Sequence, residues 1–136
     1  MKITVLHPKL QLEPFYQAAI QEYDKRLSRY CKLSRIQLKN EAQMTKKLQN
    51  SPYLIVISTS GNLISSEALA EQLNQLGVDG HSDIQFVLGN YPEAHAYAEQ
   101  VLALSPMCMD IGLTITLLYE QLYRAYRIMH QHPYHK

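Results

Sequence analysis

Tyr53-Leu-Ile-Val-Ile-Ser58, YLIVIS, is an unbroken apolar run rich in β-branched residues, with no polar alternation. Such a run belongs to a strand buried on both faces, which is the situation inside a parallel sheet. A second run, DIQFVLG at 83–89, has the same character and stops at Gly89. Toward the N-terminus, EAQMTKKLQN (41–50) reads as a short helix, and KLSRIQL (32–38) alternates as a strand. LEPFYQAAIQEYDKRLSRY (12–30) places Phe15, Tyr16, Ala19, Ile20, Tyr23, Leu27 and Tyr30 at helical spacing, with Pro14 suited to its first turn. KITVL (2–6) is a further strand. Toward the C-terminus, Ser60-Gly61-Asn62 predicts a turn, and Ser65 or Ser66 caps a helix SEALAEQLNQL. EAHAYAEQVLAL (93–104) reads as helical, SPMCM (105–109) as a short last strand, and LTITLLYEQLYRAYRIMH (113–130) as a long closing helix. Strands alternating with helices predict an α/β sandwich around a mostly parallel sheet, with residues 1–136 as a single domain.

Composition sets the class. Hydrophobic residues make up 46% and charged residues 18%, which fits a folded domain rather than a disordered chain. No apolar run reaches the length of a membrane span, and MKITVLHPKL has no signal-peptide pattern, so a cytoplasmic protein without membrane contact is expected. Cys31 and Cys108 lie far apart and without paired metal-ligand spacing, so neither a disulfide nor a metal framework is indicated. Net charge is only +1, but it is unevenly spread. Residues 1–50 hold ten Lys and Arg against four Asp and Glu, whereas 51–120 hold no basic residue and eight acidic ones. The basic stretch KRLSRYCKLSR (25–35), with its tyrosine, is either a solvated helix face followed by a strand or a surface that lies along phosphates.

In open parallel sheets ligands sit beyond the carboxyl ends of strands, so the segments after Ile57 and Leu88 are the places to look. STSGN follows one and GNYP the other; neither is a P-loop or a GxGxxG fingerprint. The C-terminus, YRAYRIMHQHPYHK, concentrates His130, His132 and His135 around Pro133-Tyr134. His-x-His-x-x-His can chelate, but no carboxylate or thiol accompanies it, so no metal is expected. Arg124 and Arg127 lie three apart, placed either to contact phosphate or to pair with Glu120 across a helical turn. Tyr119, Tyr123 and Tyr126 share a face with the character of core or dimer contact.

The FVLG strand end, the ALS run at 103–105 and above all EQLYRAYRIM…PYHK together resemble the RlmH-type rRNA large-subunit methyltransferases of the SPOUT class. The order of elements extends the resemblance over essentially the whole chain. It implies an α/β domain with a deep C-terminal trefoil knot, a homodimer, and S-adenosylmethionine-dependent methylation of N3 of a pseudouridine in 23S rRNA on the ribosome. It also implies a cofactor pocket built from backbone at Ile57, at Gly89, and along Leu104, Ser105, Pro106, Met107, Cys108 and Met109. The tail is implied to lie near that pocket across the dimer interface. There His135 or His132 would serve as base and Tyr134 would stack on or hydrogen-bond to the target base. The chain departs from the family pattern at several points. Asn90 replaces a second glycine, and the usual Pro-His pair and following Arg are here Asp110, Ile111 and Ile115. The stretch 40–52 is short. These departures admit a second reading, a dimer of the same fold that binds RNA, ribosome or protein without transferring methyl groups.

Overall fold

In the computed structural model, which describes residues 1–50 and 52–135, five parallel strands form one sheet in the order β2-β1-β4-β3-β5. The strands are β1 (Lys2–Pro8), β2 (Lys32–Leu38), β3 (Leu54–Leu63), β4 (Asp83–Leu88) and β5 (Gln100–Ala103). Between them run α1 (Pro14–Leu27), α2 (Glu41–Gln49), α3 (Ser66–Val78) and α4 (Ala94–Tyr97), and α5 (Ile111–Met129) closes the chain. YLIVIS supplies the first half of β3, and Leu54, Ile55, Val56 and Ile57 are all buried, as a strand covered on both faces requires.

Two apolar layers sandwich the sheet. On one face Ile3, Val5, Ile55, Ile84 and Phe86 meet α1, α3 and α5. On the other Leu6, Val56 and Val87 meet Met44 and Leu48 of α2 and Ala94 of α4. The amphipathic face of α5 inserts Ile115, Leu118, Tyr119, Leu122 and Ala125 into the first layer. Burial of each large side chain there contributes about 1.5–3 kcal/mol relative to exposure. Helix starts follow local chemistry. Pro14 opens α1, Asn40 accepts from the Gln43 N–H at 2.9 Å to cap α2, and Ser65, the first of the two candidates, accepts from the Ala68 N–H at 3.1 Å to cap α3.

Three sequence expectations are corrected. EAHAYAEQVLAL is not one helix, because only Ala94–Tyr97 is helical; Ala98 is extended and Gln100–Ala103 becomes β5. The Glu99 carboxylate accepts the Leu54 N–H at 2.5 Å and fastens this turn to β3, whose open edge then pairs with β5. SPMCM is accordingly a loop, not a strand. Ser60-Gly61-Asn62 does not turn but stays within β3, where the pairing to β5 shifts between Ile57 and Asn62. A Cβ on Gly61 would lie 2.7 Å from the backbone of Val101 and Leu102, so the glycine serves close strand approach.

Candidate active site

Beyond the carboxyl ends of β3, β4 and β5 lies a cleft of about 430 Å³. Of the sequence candidates, Ile57, Gly89, Leu104, Ser105, Met107, Cys108 and Met109 line it; Pro106 lies between two lining residues without reaching it. Six further lining residues went unnamed as cofactor contacts: Ser58, Thr59, Leu88, Asn90, Ile111 and Thr114. The first five lie within two residues of named positions or fill a noted departure, so continuing each strand end by one or two residues would have found most of them.

Gly89 has φ +113°, and a Cβ there would stand 2.9 Å from Pro8 Cδ and 3.1 Å from the Tyr91 ring. Only glycine fits this corner, which brings the β4 backbone to the cleft. Opposite, the Ser105 hydroxyl accepts from the Met107 N–H at 3.0 Å and shapes the loop, leaving the Met107 side chain 73% exposed over the opening. No described residue lining the cleft carries a formal charge. Its floor of Ile57 and Leu88 with polar backbone and the hydroxyls of Ser58, Thr59 and Thr114 suits a flat heteroaromatic ring joined to a sugar.

The departures have definite places. The Asp110 carboxylate accepts from the Gly112 N–H at 3.0 Å and caps α5. Ile111 faces the cleft as an apolar wall. Ile115, by contrast, is wholly buried among the core residues and does not line the cleft.

The histidine tail is ordered against its own chain. Gln131, with φ +56°, ends α5 in the left-handed conformation and turns residues 132–135 back along the helix. The Tyr134 hydroxyl donates to Glu120 Oε1 at 3.0 Å, its ring meets Tyr123 edge-on, and the Arg124 guanidinium lies 4.7 Å from the ring centre. Burial, with Tyr23 and Glu120 beside it, raises the Tyr134 phenol well above its ordinary range. Arg124 Nη1 donates to His135 Nδ1 at 3.1 Å, which leaves Nε2–H to donate to Glu67 Oε1 at 2.6 Å. In this arrangement both imidazole nitrogens of His135 are engaged.

His132 stands apart from that pair. Tyr30 donates its hydroxyl hydrogen to His132 Nδ1 at 3.0 Å while accepting from Arg127 at 3.2 Å. Thus the structure groups Tyr134 and His135 with Arg124, Glu120 and Glu67, and places His132 with Tyr30 and Arg127. None of the described tail residues lines the cleft of the same chain. Arg124 is held by Glu120 at 2.7 Å, whereas no ion pair among the described residues involves Arg127. Arg127 instead borders a groove with Lys25, Arg26, Arg29, Tyr30 and Tyr123, in which Glu22 is paired with Arg26. Among the described residues there is no cluster of His, Cys, Asp and Glu able to hold a metal, and no helix is long and apolar enough to cross a membrane.

Comparison with known proteins agrees with this geometry. The family model described as "Predicted SPOUT methyltransferase" matches residues 1–135. Ribosomal RNA large subunit methyltransferase H 1 of Thermoanaerobacter sp. (strain X514) is 43% identical over 126 residues, 93% of this chain and 92% of that protein. Its length is therefore close to that of this chain. Ribosomal RNA large subunit methyltransferase H of Shouchella clausii (strain KSM-K16) is 33% identical, and the H 1 protein of Clostridium perfringens (strain SM101 / Type A) 36% identical, each over the whole of both chains. Those two alignments span 159 positions against 136 residues here, so this chain is the shorter partner. With that family model matched over residues 1–135 and these relatives 33–43% identical over most or all of the chain, this chain belongs to the SPOUT methyltransferase family.

Proposed function

We propose that this protein transfers a methyl group from S-adenosylmethionine to N3 of a pseudouridine in 23S rRNA, acting on the ribosome in the cytoplasm as a homodimer of single, knotted domains. The observation that carries the reading is the glycine-cornered, uncharged cleft at the ends of β3, β4 and β5, together with relatives named as rRNA large-subunit methyltransferases. Bound S-adenosylmethionine would supply an electrophilic methyl group on sulfur. The chain's own part is to hold and align. Backbone at Ile57, Gly89 and the Leu104–Met109 loop binds the adenosine, while Met107 and Ile111 exclude water from it.

The acceptor N3–H must lose its proton as the methyl group arrives in line. His135 is the candidate base, with Tyr134 placing the target base. Because neither residue reaches the cleft of its own chain, they act in the cleft of a second copy. His135 can accept a proton at Nδ1 only after Arg124 releases that atom.

Calorimetric titration with S-adenosylmethionine and with its demethylated product tests the cleft; a micromolar Kd, about −8 kcal/mol, is expected. Methylation of ribosomes lacking the modification then tests the tail. His135→Ala should abolish most turnover with cofactor affinity unchanged, and full turnover would remove the residue from the mechanism.

One observation favours the second reading, a non-catalytic RNA-, ribosome- or protein-binding dimer: Ile111 lines the cleft where family members carry an imidazole. Absence of heat at millimolar cofactor, with no thermal shift, would select that reading.

A further inference from the structure

On the α1 side of the sheet, a second cleft of about 300 Å³ opens between α1 and β2. Its one charged lining residue is Arg35, and Gln11, Gln17, Gln21 and Gln37 supply most of the remaining polar wall. No carboxylate lines this cleft, and no ion pair among the described residues involves Arg35.

What holds Arg35 is neutral. His7, fully buried at the end of β1, donates from Nδ1 to the Pro8 carbonyl at 2.8 Å and accepts from Arg35 Nη1 at Nε2, at 2.9 Å. A histidine that donates at one nitrogen and accepts at the other is uncharged, and burial and the neighbouring guanidinium both lower its pKa. A forked cation is thus held at one corner by an imidazole that takes none of its charge. Its remaining N–H donors face a cleft of amides, and Gln17 is itself anchored to the Leu12 carbonyl at 2.8 Å. Amide donors around one guanidinium match a phosphate, which takes several hydrogen bonds and one or two charges.

Position gives the anion a source. The cleft lies at the same carboxyl edge of the sheet as the methyl-transfer cleft, two strand spacings away, roughly 10 Å across. The end of β1 joins them: His7 holds Arg35 while Pro8 walls Gly89. Exposed Lys9 and Lys39 follow β1 and β2 along this edge.

We infer that the Arg35 cleft binds a backbone phosphate of the RNA whose base is presented to the methyl-transfer cleft. This rests on the reading of RNA as substrate. A nucleic-acid strand laid along the carboxyl edge is gripped at one point and modified at another, so that Arg35 sets register rather than sequence.

The test measures affinity of the wild-type protein, Arg35→Gln and Arg35→Lys for purified ribosomes between 50 and 200 mM salt. Gln preserves a donor for His7 while removing the charge. It should weaken binding several-fold and flatten the plot of log K against log salt by about one unit. Lys keeps the charge but not the fork, and should keep the slope while losing about threefold in affinity. Calorimetric affinity for S-adenosylmethionine should match wild type in both variants. If Arg35→Gln does not fold, unchanged ribosome affinity of Arg35→Lys would by itself overturn the inference. Wild-type slope and affinity in Arg35→Gln would overturn it and leave the RNA reading standing. Failure of the wild-type protein to bind ribosomes at 50 mM salt would overturn both.

Discussion

His135 Nε2 lies 2.6 Å from Glu67 Oε1, joining the end of the chain to the first turn of α3 across 68 positions of sequence. The Glu67 carboxylate is held below its ordinary range first by its own backbone N–H and then by His135. A depressed carboxylate favours the docked tail above its ordinary pKa and loses that effect as pH falls through the lowered value. Protection of the Tyr134 and His135 amides, measured relative to intrinsic exchange at the same pH, should therefore fall in acid below the usual carboxylate range, and Glu67→Ala should lower it at neutral pH. Equal exchange in the variant and the wild-type protein would show that the pair does not hold the tail.

Gly89→Ala should cost about 1–3 kcal/mol of stability, because φ +113° is strained for any residue with a side chain. The added methyl also meets Pro8 and the Tyr91 ring, so the corner must open. Cofactor affinity is expected to drop at least tenfold by calorimetry at a temperature where the variant is folded. Unaltered affinity would exclude this backbone from the binding site.

Placing at position 115 the arginine that the family resemblance implies should not improve function. Ile115 has no exposed surface, and a guanidinium there would be an unpaired charge inside the core. Ile115→Arg is expected to destabilise by about 3–5 kcal/mol or to prevent folding, as read by thermal unfolding. Ile111→His, at the cleft wall, should leave the unfolding midpoint within a few degrees of wild type. A stable Ile115→Arg protein would contradict the register of α5.

His7 makes stability depend on pH in the direction opposite to a salt-bridged histidine. Its folded pKa lies below the unfolded 6.5, chiefly through burial. The unfolded chain then binds more protons as pH falls, so this contribution is complete above 6.5 and declines as pH drops toward the folded value. Denaturant unfolding at pH 7.5 and 5.5 should show a smaller loss for His7→Gln than for the wild-type protein. Identical losses would mean that His7 is not the titrating group.

The sheet was legible because YLIVIS and DIQFVL are too apolar and too β-branched to lie anywhere but inside it. β5 was not. AHAYAEQVLAL has helical spacing and no breaker, and its last part is a strand only because β3 offers an edge that the Glu99 carboxylate helps secure. Gly61 misled in the other direction, a turn residue by type used for close approach of two backbones. At the site, the strand ends pointed to the cleft because ligand position follows topology. The division of the tail could not be read, since it depends on a left-handed turn at Gln131 and on partners 11 to 102 residues distant. The Arg35 cleft was equally hidden, because only the pairing of β1 with β2 brings His7 beside it.

The large contribution of α5 to the main apolar layer also governs when the protein can fold. Ile115, Leu118, Tyr119, Leu122 and Ala125 come from α5, and without them α1 and α3 leave that face of the sheet only partly covered. During synthesis at about 5–20 residues per second, that layer stays incomplete until residues 111–129 emerge. Native packing is consequently completed only once residues 111–129 are available, and a chain cut before them is material for chaperones and proteases rather than a smaller enzyme.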